Sequence, residues 1–83
     1  MPAIRVTVRL SGVLAQRLGS RRAVELEPPA TVEALLAQLA RDGEFEPEGL
    51  RGLAVVADGR FLDRDRPLAD GQEVDVLVPV AGG

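Results

Sequence analysis

The sequence predicts a small two-layer α+β domain in which one main helix covers one face of a sheet of four or five strands. Three stretches carry this prediction. Residues 4–10 alternate apolar and polar side chains, which is typical of a strand with one buried face. Residues 32–40 place apolar side chains at helical spacing, and residues 73–80 alternate again. With 83 residues, the chain is long enough for one hydrophobic core and too short for two.

The first strand is predicted to turn its apolar side chains toward the core. Its other face is polar and consists of Arg5, Thr7 and Arg9. A short helical turn follows, with Ser11 as a candidate N-cap and Gly19 as the stop, since these residue types are favoured at helix starts and ends. A second, shorter strand is predicted over residues 23–27. It ends before Pro28-Pro29, because proline cannot donate to a strand ladder.

The main helix is predicted to begin after Thr31, which suits an N-cap position. Glu33 then lies in the first turn, where the positive end of the helix dipole favours a carboxylate. The predicted buried stripe consists of Val32, Leu35, Leu36, Leu39 and Ala40. Gly43 is the predicted end of the helix.

The second half of the chain is predicted to form a loop and three strands. Residues 44–52 are acidic and contain proline and glycine, which indicates a loop. Strands over residues 53–57 and 60–62 are joined by the turn dipeptide Asp58-Gly59. A charged loop follows, after which Leu68 is predicted to fill the core.

The last strand is predicted over residues 73–80, after a turn at Asp70-Gly71. Its predicted core face consists of Val74, Val76, Val78 and Val80. Leu77 and Pro79 fall on the face assigned to solvent, together with two carboxylates. A single exposed leucine is common, but beside an apolar tail it indicates a docking patch. A slip in register at Val78, which would bury Leu77, is the alternative.

The composition excludes most side-chain chemistry. The chain has no Cys, His, Lys, Trp, Tyr or Asn. A Ser–His triad, a thiolate nucleophile, a Schiff base and a zinc–cysteine site are therefore all excluded, and we expect no side-chain catalysis by the chain itself. A net charge of −3 does not indicate nucleic-acid binding, and no apolar run approaches the about 20 residues that span a bilayer. We expect a soluble cytoplasmic protein.

The remaining charged clusters are interpreted as solvated surface. Asp63 and Asp65 alternate with arginines in one loop, and Glu44, Glu46 and Glu48 alternate in another. A metal or acid–base site is the alternative, but the spacing does not match a calcium loop. We expect no bound metal. The arginines at 17, 21 and 22 could contact an acidic partner, although charge runs are usually simply exposed.

The carboxyl end offers the one remaining reactive group. Gly82 and Gly83 lack Cβ atoms, so this segment could pass a channel too narrow for side chains and present the Gly83 carboxylate to ATP and then to a nucleophile. We predict a folded body over residues 1–80 and a flexible tail over residues 81–83. A frayed, inert end is the alternative.

Three stretches resemble a known family. Residues 29–35 (PATVEAL) resemble its helix start, residues 66–74 (RPLADGQEV) its turn into the last strand, and residues 79–83 (PVAGG) its tail. The family is that of the MoaD/ThiS-type ubiquitin-like sulfur carriers, and the most similar branch is the small subunit of molybdopterin synthase. The resemblance covers essentially the whole chain and implies a β-grasp fold with a mixed sheet.

The resemblance also implies a mechanism. An activating enzyme would use ATP to adenylate Gly83, and a sulfur donor protein would convert the adenylate to a thiocarboxylate. The large subunit of molybdopterin synthase, or another sulfur-accepting enzyme, would then take the sulfur for molybdenum cofactor synthesis. Carriers for cysteine, thiamine or tRNA thiolation share this tail, and a ubiquitin-like protein modifier is a further alternative. No cofactor, nucleic acid or membrane is implied.

Two sets of residues would contact these partners. The tail that threads into a partner would consist of Pro79, Val80, Ala81 and Gly82, which lead to Gly83. The docking surface of the folded body would be bordered by Leu77, Phe61, Arg5, Thr7 and Arg9.

Overall fold

In the computed structural model, two helices pack on one face of a five-stranded mixed sheet, as the sequence predicts for a two-layer domain. The structure describes residues 2–45 and 52–78. The elements are β1 (Ile4–Arg9), α1 (Gly12–Leu18), β2 (Arg21–Leu26), α2 (Val32–Gly43), β3 (Ala54–Ala57), β4 (Arg60–Phe61) and β5 (Glu73–Leu77). The spatial order of the strands is β2-β1-β5-β3-β4. Among the described strands, β1 and β5 pair in parallel, and the other three neighbouring pairs are antiparallel.

The core lies between the helices and the inner face of the sheet. The alternation in β1 is confirmed, since Val6 and Val8 have no exposed surface. The stripe predicted for α2 is confirmed as well, and all five of its members are buried. Burial of each large apolar side chain stabilises the fold by about 1.5–3 kcal/mol relative to leaving it exposed. The largest fully buried side chains are Leu35, Leu36, Leu39, Val6, Val8, Val32, Val74 and Val76.

Helix α2 begins as predicted. The Oγ1 atom of Thr31 accepts a hydrogen bond from the backbone N–H of Ala34 at 3.2 Å, and Glu33 lies in the first turn. The helix ends at Gly43, but the left-handed residue is Glu44, with φ of 57°. Gly43 is favoured there for a different reason, because a Cβ atom at this position would collide with the ring of Phe45.

The end of α2 is tied to α1 by Arg17. Its guanidinium donates to the carbonyl oxygen of Gly43 at 2.9 Å and lies 5.2 Å from the centre of the Phe45 ring. Helix α1 begins after Ser11 and ends before Gly19, as predicted, although the Ser11 side chain makes no capping hydrogen bond. Leu14 and Leu18 are the buried residues of this helix.

Two connections also match the prediction. Leu68 is buried, and its N–H donates to the carbonyl oxygen of Ala30 at 2.7 Å, so it fills the core beside the start of α2. Asp58 and Gly59 form the turn between β3 and β4 with φ of 52° and 76°. Positive φ at both central residues suits the right-handed twist of a tight hairpin.

Strand β3 begins one residue later than predicted and β4 ends one residue earlier. Both boundaries of β2 differ from the prediction as well. Strand β2 begins at Arg21 rather than residue 23 and ends at Leu26 rather than residue 27. The longer start is stable because Arg21 and Arg22 pair in register with Arg9 and Val8 of β1. Arg22 also reaches the carboxylate of Asp42 in α2 at 3.4 Å, so its charge is compensated at the sheet edge.

The prediction that β5 continues to residue 80 with Val78 in the core is wrong. The strand ends at Leu77, and Val78 is 57% exposed. The reason is that the ladder with β3 ends at the Ala54–Leu77 pair, so Val78 has no strand beside it. Leu77 is 41% exposed, which excludes the alternative register that would bury it. The predicted positions of Pro79 and Val80 lie outside the described residues.

Candidate docking surface and the carboxyl-terminal segment

The outer face of the sheet, opposite the helices, has two unlike halves. We call the outward side chains of β2, β1 and the start of β5 the charged half. Here Thr7 is in register with Glu73, and Arg9 with Asp75. Toward β3 and β4 the face becomes apolar, since Leu77 is in register with Ala54 and Phe61 with Val56.

The charged half is neutralised by its own ion pairs. The Nε atom of Arg9 lies 2.7 Å from a carboxylate oxygen of Asp75, and this contact raises the pKa of Arg9 above its ordinary value by hydrogen bonding and charge. Glu73 contacts Arg21 at 3.0 Å and Arg9 at 3.6 Å.

This arrangement resolves a conflict between the strands. Arg9 and Arg21 are like charges directly opposite each other in the β1–β2 register, which is destabilising without compensation. Glu73 contacts both of them and removes the conflict. Farther along the face, Arg5 pairs with Glu25 at 3.0 Å. Because these charges are satisfied within the chain, this half has little unpaired charge with which to attract a partner.

The apolar part contains a shallow depression, which we call the apolar depression. It is lined by Ser11, Gly12, Val13, Ala54, Phe61, Leu77 and Val78. The exposed fractions are 76% for Phe61, 63% for Val13 and 57% for Val78. These are the large exposed apolar side chains of the described residues, together with Leu77. Such side chains gathered at one place mark an interaction site more reliably than scattered ones do.

The apolar depression lies where the chain leaves the sheet. Leu77 is the last residue of β5, and Val78 is the last described residue before the segment that ends at Gly83. A partner that covers this depression therefore also meets the start of that segment. The predicted threading residues Pro79, Val80, Ala81 and Gly82, and the predicted reactive Gly83, lie outside the described residues.

The structure separates the predicted docking residues into groups. It brings Leu77 and Phe61 together in the apolar depression. Arg5 and Thr7 instead line a second, polar depression with Glu25 and Asp70. Arg9 lies between the two groups, because its partner Asp75 is in register with Val56 of β3.

Of the residues that line the apolar depression, the sequence predicts a docking role only for Phe61 and Leu77. It predicts Val78 in the core and includes Val13 in the short helical turn without a docking role. A signal for Val13 exists, because the buried residues of α1 are Leu14 and Leu18, which lie on one side of the helix at a spacing of four. Val13 precedes this pair and is left outside it.

Two findings concern the described ranges, 2–45 and 52–78, alone. No group of three or more acidic side chains in them could hold a metal ion. Neither helix there has the length and apolar character needed to cross a bilayer.

Comparison with solved structures identifies the fold. The structure is similar to SAMP1 from Haloferax volcanii, with a TM-score of 0.74 and 24% identity over 95% of this chain and 99% of the other. It is similar to a putative molybdopterin converting factor, subunit 1, from Pyrococcus furiosus, with a TM-score of 0.77 and 22% identity over 93% and 99%. Ubiquitin from Caldiarchaeum subterraneum gives a TM-score of 0.67 and 20% identity over 98% and 99%. The predicted ubiquitin-like β-grasp fold is thereby confirmed.

The family follows from the sequence rather than from these structures, whose identities are low. No curated protein sequence matches the chain significantly. The model of the ThiS family, however, matches residues 8–83, which includes both terminal glycines. The chain therefore belongs to the ThiS family of ubiquitin-like sulfur carriers, whose members work with activating enzymes and sulfur-accepting partners.

Proposed function

We propose that this chain carries sulfur as a thiocarboxylate on Gly83 and donates it in molybdopterin synthesis. The observation that carries the proposal is the family match, which extends through Gly82 and Gly83. The similarity to a structure named as a molybdopterin converting factor subunit supports this pathway in particular. The absence of Cys, His and Lys supports a role in which partners supply the catalytic side chains.

The chemistry needs only the terminal carboxylate of this chain. An oxygen of the Gly83 carboxylate attacks the α-phosphorus of ATP, and the bond to pyrophosphate breaks. The product is a mixed anhydride with AMP. Sulfide then attacks the carbonyl carbon, a C–S bond forms, and AMP leaves with the bonding electron pair. Where the sulfur comes from a protein persulfide, its attack gives an acyl disulfide. A thiol of the partner then attacks the donor cysteine sulfur, which releases the thiocarboxylate and leaves a disulfide between the two thiols.

The apolar depression supplies the binding energy for this delivery. Burial of exposed side chains such as Phe61 and Leu77 against a partner is favourable by about 25 cal/mol per Å² of apolar surface. Residues 79–83 can then extend about 16 Å beyond the folded body, at about 3.3 Å per residue. The reacting carbon thus enters the partner's site while the sheet stays outside it.

The lack of lysine has a direct chemical benefit for an activated carrier. An acyl-adenylate reacts readily with amines, and the chain has no lysine ε-amine that could attack its own tail or that of a second copy. Loss of the activated group to self-conjugation through side chains is therefore excluded.

A second candidate is attachment to other proteins. The structure is similar to one named small archaeal modifier protein 1, at 22% identity. In this role a lysine ε-amine of a target protein, instead of sulfide, would attack the Gly83 carbonyl carbon; an amide bond would form and AMP would leave. Sulfur transfer for cysteine, thiamine or tRNA thiolation uses the same first steps and differs only in the acceptor.

Intact-protein mass spectrometry tests the proposal. The chain is incubated with its activating enzyme, ATP and a sulfide donor, and we expect a mass increase of about 16 Da when sulfur replaces oxygen. A variant lacking Gly82 and Gly83 and a reaction without ATP are the controls, and neither should gain this mass. An unchanged mass with an activating enzyme that is competent on another carrier would overturn the proposal.

The acceptor is tested separately. Thiocarboxylated chain is mixed with the large subunit of molybdopterin synthase and the pterin precursor, and we expect the added mass to be lost as product forms. Residues 65–83 of this chain attached to lysines of tryptic peptides from cells, in place of this transfer, would favour the modifier role. Trypsin leaves this long remnant because Arg64 is the last cleavable site, since Arg66 is followed by Pro67.

A further inference from the structure

Beside the apolar depression lies a further depression, distinct from the polar one that Arg5 and Thr7 line, with charged side chains in its lining. It is lined by Ala57, Asp58, Arg60, Phe61, Leu62, Arg66 and Gln72. Arg60 and Arg66 are both exposed. We call this the basic depression, since its two guanidinium groups outnumber the one carboxylate, that of Asp58.

Arg60 and Arg66 differ from the arginines of the charged half. Arg5, Arg9 and Arg21 all form ion pairs. Within residues 2–45 and 52–78, neither Arg60 nor Arg66 forms an ion pair or a side-chain hydrogen bond. These two charges are therefore available to a partner without breaking an existing contact.

Gln72, the remaining polar side chain of the basic depression, also offers hydrogen-bond donors. The Oε1 atom of Gln72 accepts a hydrogen bond from the backbone N–H of Ala69 at 3.0 Å. Its acceptor is thereby occupied, and its amide NH₂ remains as a donor. Because guanidinium groups can only donate, the basic depression presents mainly donors, which suit a carboxylate from a partner.

Phe61 connects the two depressions, because it lines both of them. A partner that buries Phe61 in the apolar depression therefore places neighbouring side chains over Arg60 and Arg66. We propose that the activating enzyme presents one or two carboxylate side chains at this place, next to the apolar surface that covers Phe61. This inference rests on the proposed function, since it takes the activating enzyme as the docked partner.

The test compares variants that change net charge equally at two places. In Arg60→Gln/Arg66→Gln, two positive charges are removed from the basic depression. In the control Arg41→Glu, the net charge changes by the same amount on α2, which lies on the opposite side of the sheet. The purified activating enzyme from the same genome is titrated with each chain, and Kd is measured by calorimetry without ATP.

We expect the double variant to bind about tenfold more weakly, which corresponds to about 1.4 kcal/mol, and the control to stay within about twofold of the parent chain. Added salt should weaken binding of the parent chain more than that of the double variant, because salt screens exposed pairs. Arg60→Lys/Arg66→Lys should retain most of the affinity. The melting temperature of each variant is measured to confirm folding, and both arginines are exposed, so we expect little change.

The outcomes separate the two proposals. If the parent chain is neither bound nor adenylated, the proposed function and this inference both fail. If the parent chain is adenylated and the double variant binds as tightly as the control, only the pairing with Arg60 and Arg66 is overturned.

Discussion

On the outer sheet face, the exposed side chains of the charged half differ in their surroundings from those of the apolar half, which we define as the outward side chains of β3, β4 and the end of β5. In the charged half, each outward charge has a partner on a neighbouring strand, as Glu73 shows by contacting both Arg9 and Arg21. In the apolar half, Phe61 and Leu77 remain exposed and have no cover in the described structure. The charged side chains are thus satisfied within the chain, whereas the exposed apolar side chains are not. We propose on this basis that partners bind at the β3–β4–β5 side, where β5 also ends.

The largest expected effect is on the free energy of unfolding and tests where β5 stops contributing side chains to the core. Val76→Asp places a carboxylate among fully buried side chains, so we expect a loss of about 4 kcal/mol or more in the free energy of unfolding. Such a loss is a large part of the about 5–15 kcal/mol by which native domains are ordinarily stable. Chemical denaturation followed by circular dichroism measures it.

Val78→Asp is the matched control for this comparison. It makes the same chemical change two residues later, where the side chain is 57% exposed. We expect a change within about 0.5 kcal/mol. Equal destabilisation by the two variants would show that β5 continues in register and that Val78 is a core residue after all.

The next largest effect is on the affinity for the activating enzyme, and it compares the two halves as binding surfaces. Leu77→Glu puts a charge into the apolar depression, and we expect the affinity for the activating enzyme to fall by about 2 kcal/mol, as for a central interface residue. The melting temperature should change little, since Leu77 is 41% exposed. Phe61→Ala should act in the same direction. A large drop in melting temperature with Leu77→Glu would instead indicate a structural role.

The smallest effects are expected in the charged half. Arg9→Ala removes two exposed ion pairs and should lower the melting temperature only slightly, because solvent screens such pairs. Its effect on affinity should be smaller than that of Leu77→Glu, because Arg9 only borders the apolar half. Arg5→Ala, farther away, should have less effect still. Calorimetric titration with the activating enzyme ranks the three, and an Arg5 effect equal to that of Leu77 would remove the distinction between the halves.

Much of the fold could be predicted because it depends on local patterns. The alternation in residues 4–10 identifies the buried face of β1, and Thr31 marks the start of α2 by its capping chemistry. The end of β5 could not be predicted this way. Val78 continues the alternation, and its exposure depends on where the neighbouring strand β3 begins, which no local pattern of β5 contains.

The candidate site likewise contains residues that a local pattern identifies and residues that only the tertiary structure brings together. Leu77 could be identified because it breaks the expected polar pattern on its own strand. Phe61 and Val13 line the same depression, although they come from β4 and α1 and are far apart in sequence. Their proximity can be predicted only once the strand order is known. The Gly-Gly end can be identified as a candidate because the composition excludes most other reactive groups, and its reactive role stays a prediction.

The place of β5 in the sheet has a mechanical consequence. It lies between β1 and β3 and is hydrogen-bonded to both. An enzyme that pulls on the segment beyond Leu77 applies force along this strand, and the hydrogen bonds of both ladders resist the shear together rather than opening one after another. The domain can therefore be anchored by its own last strand while its end is drawn taut, and tension does not peel the sheet apart.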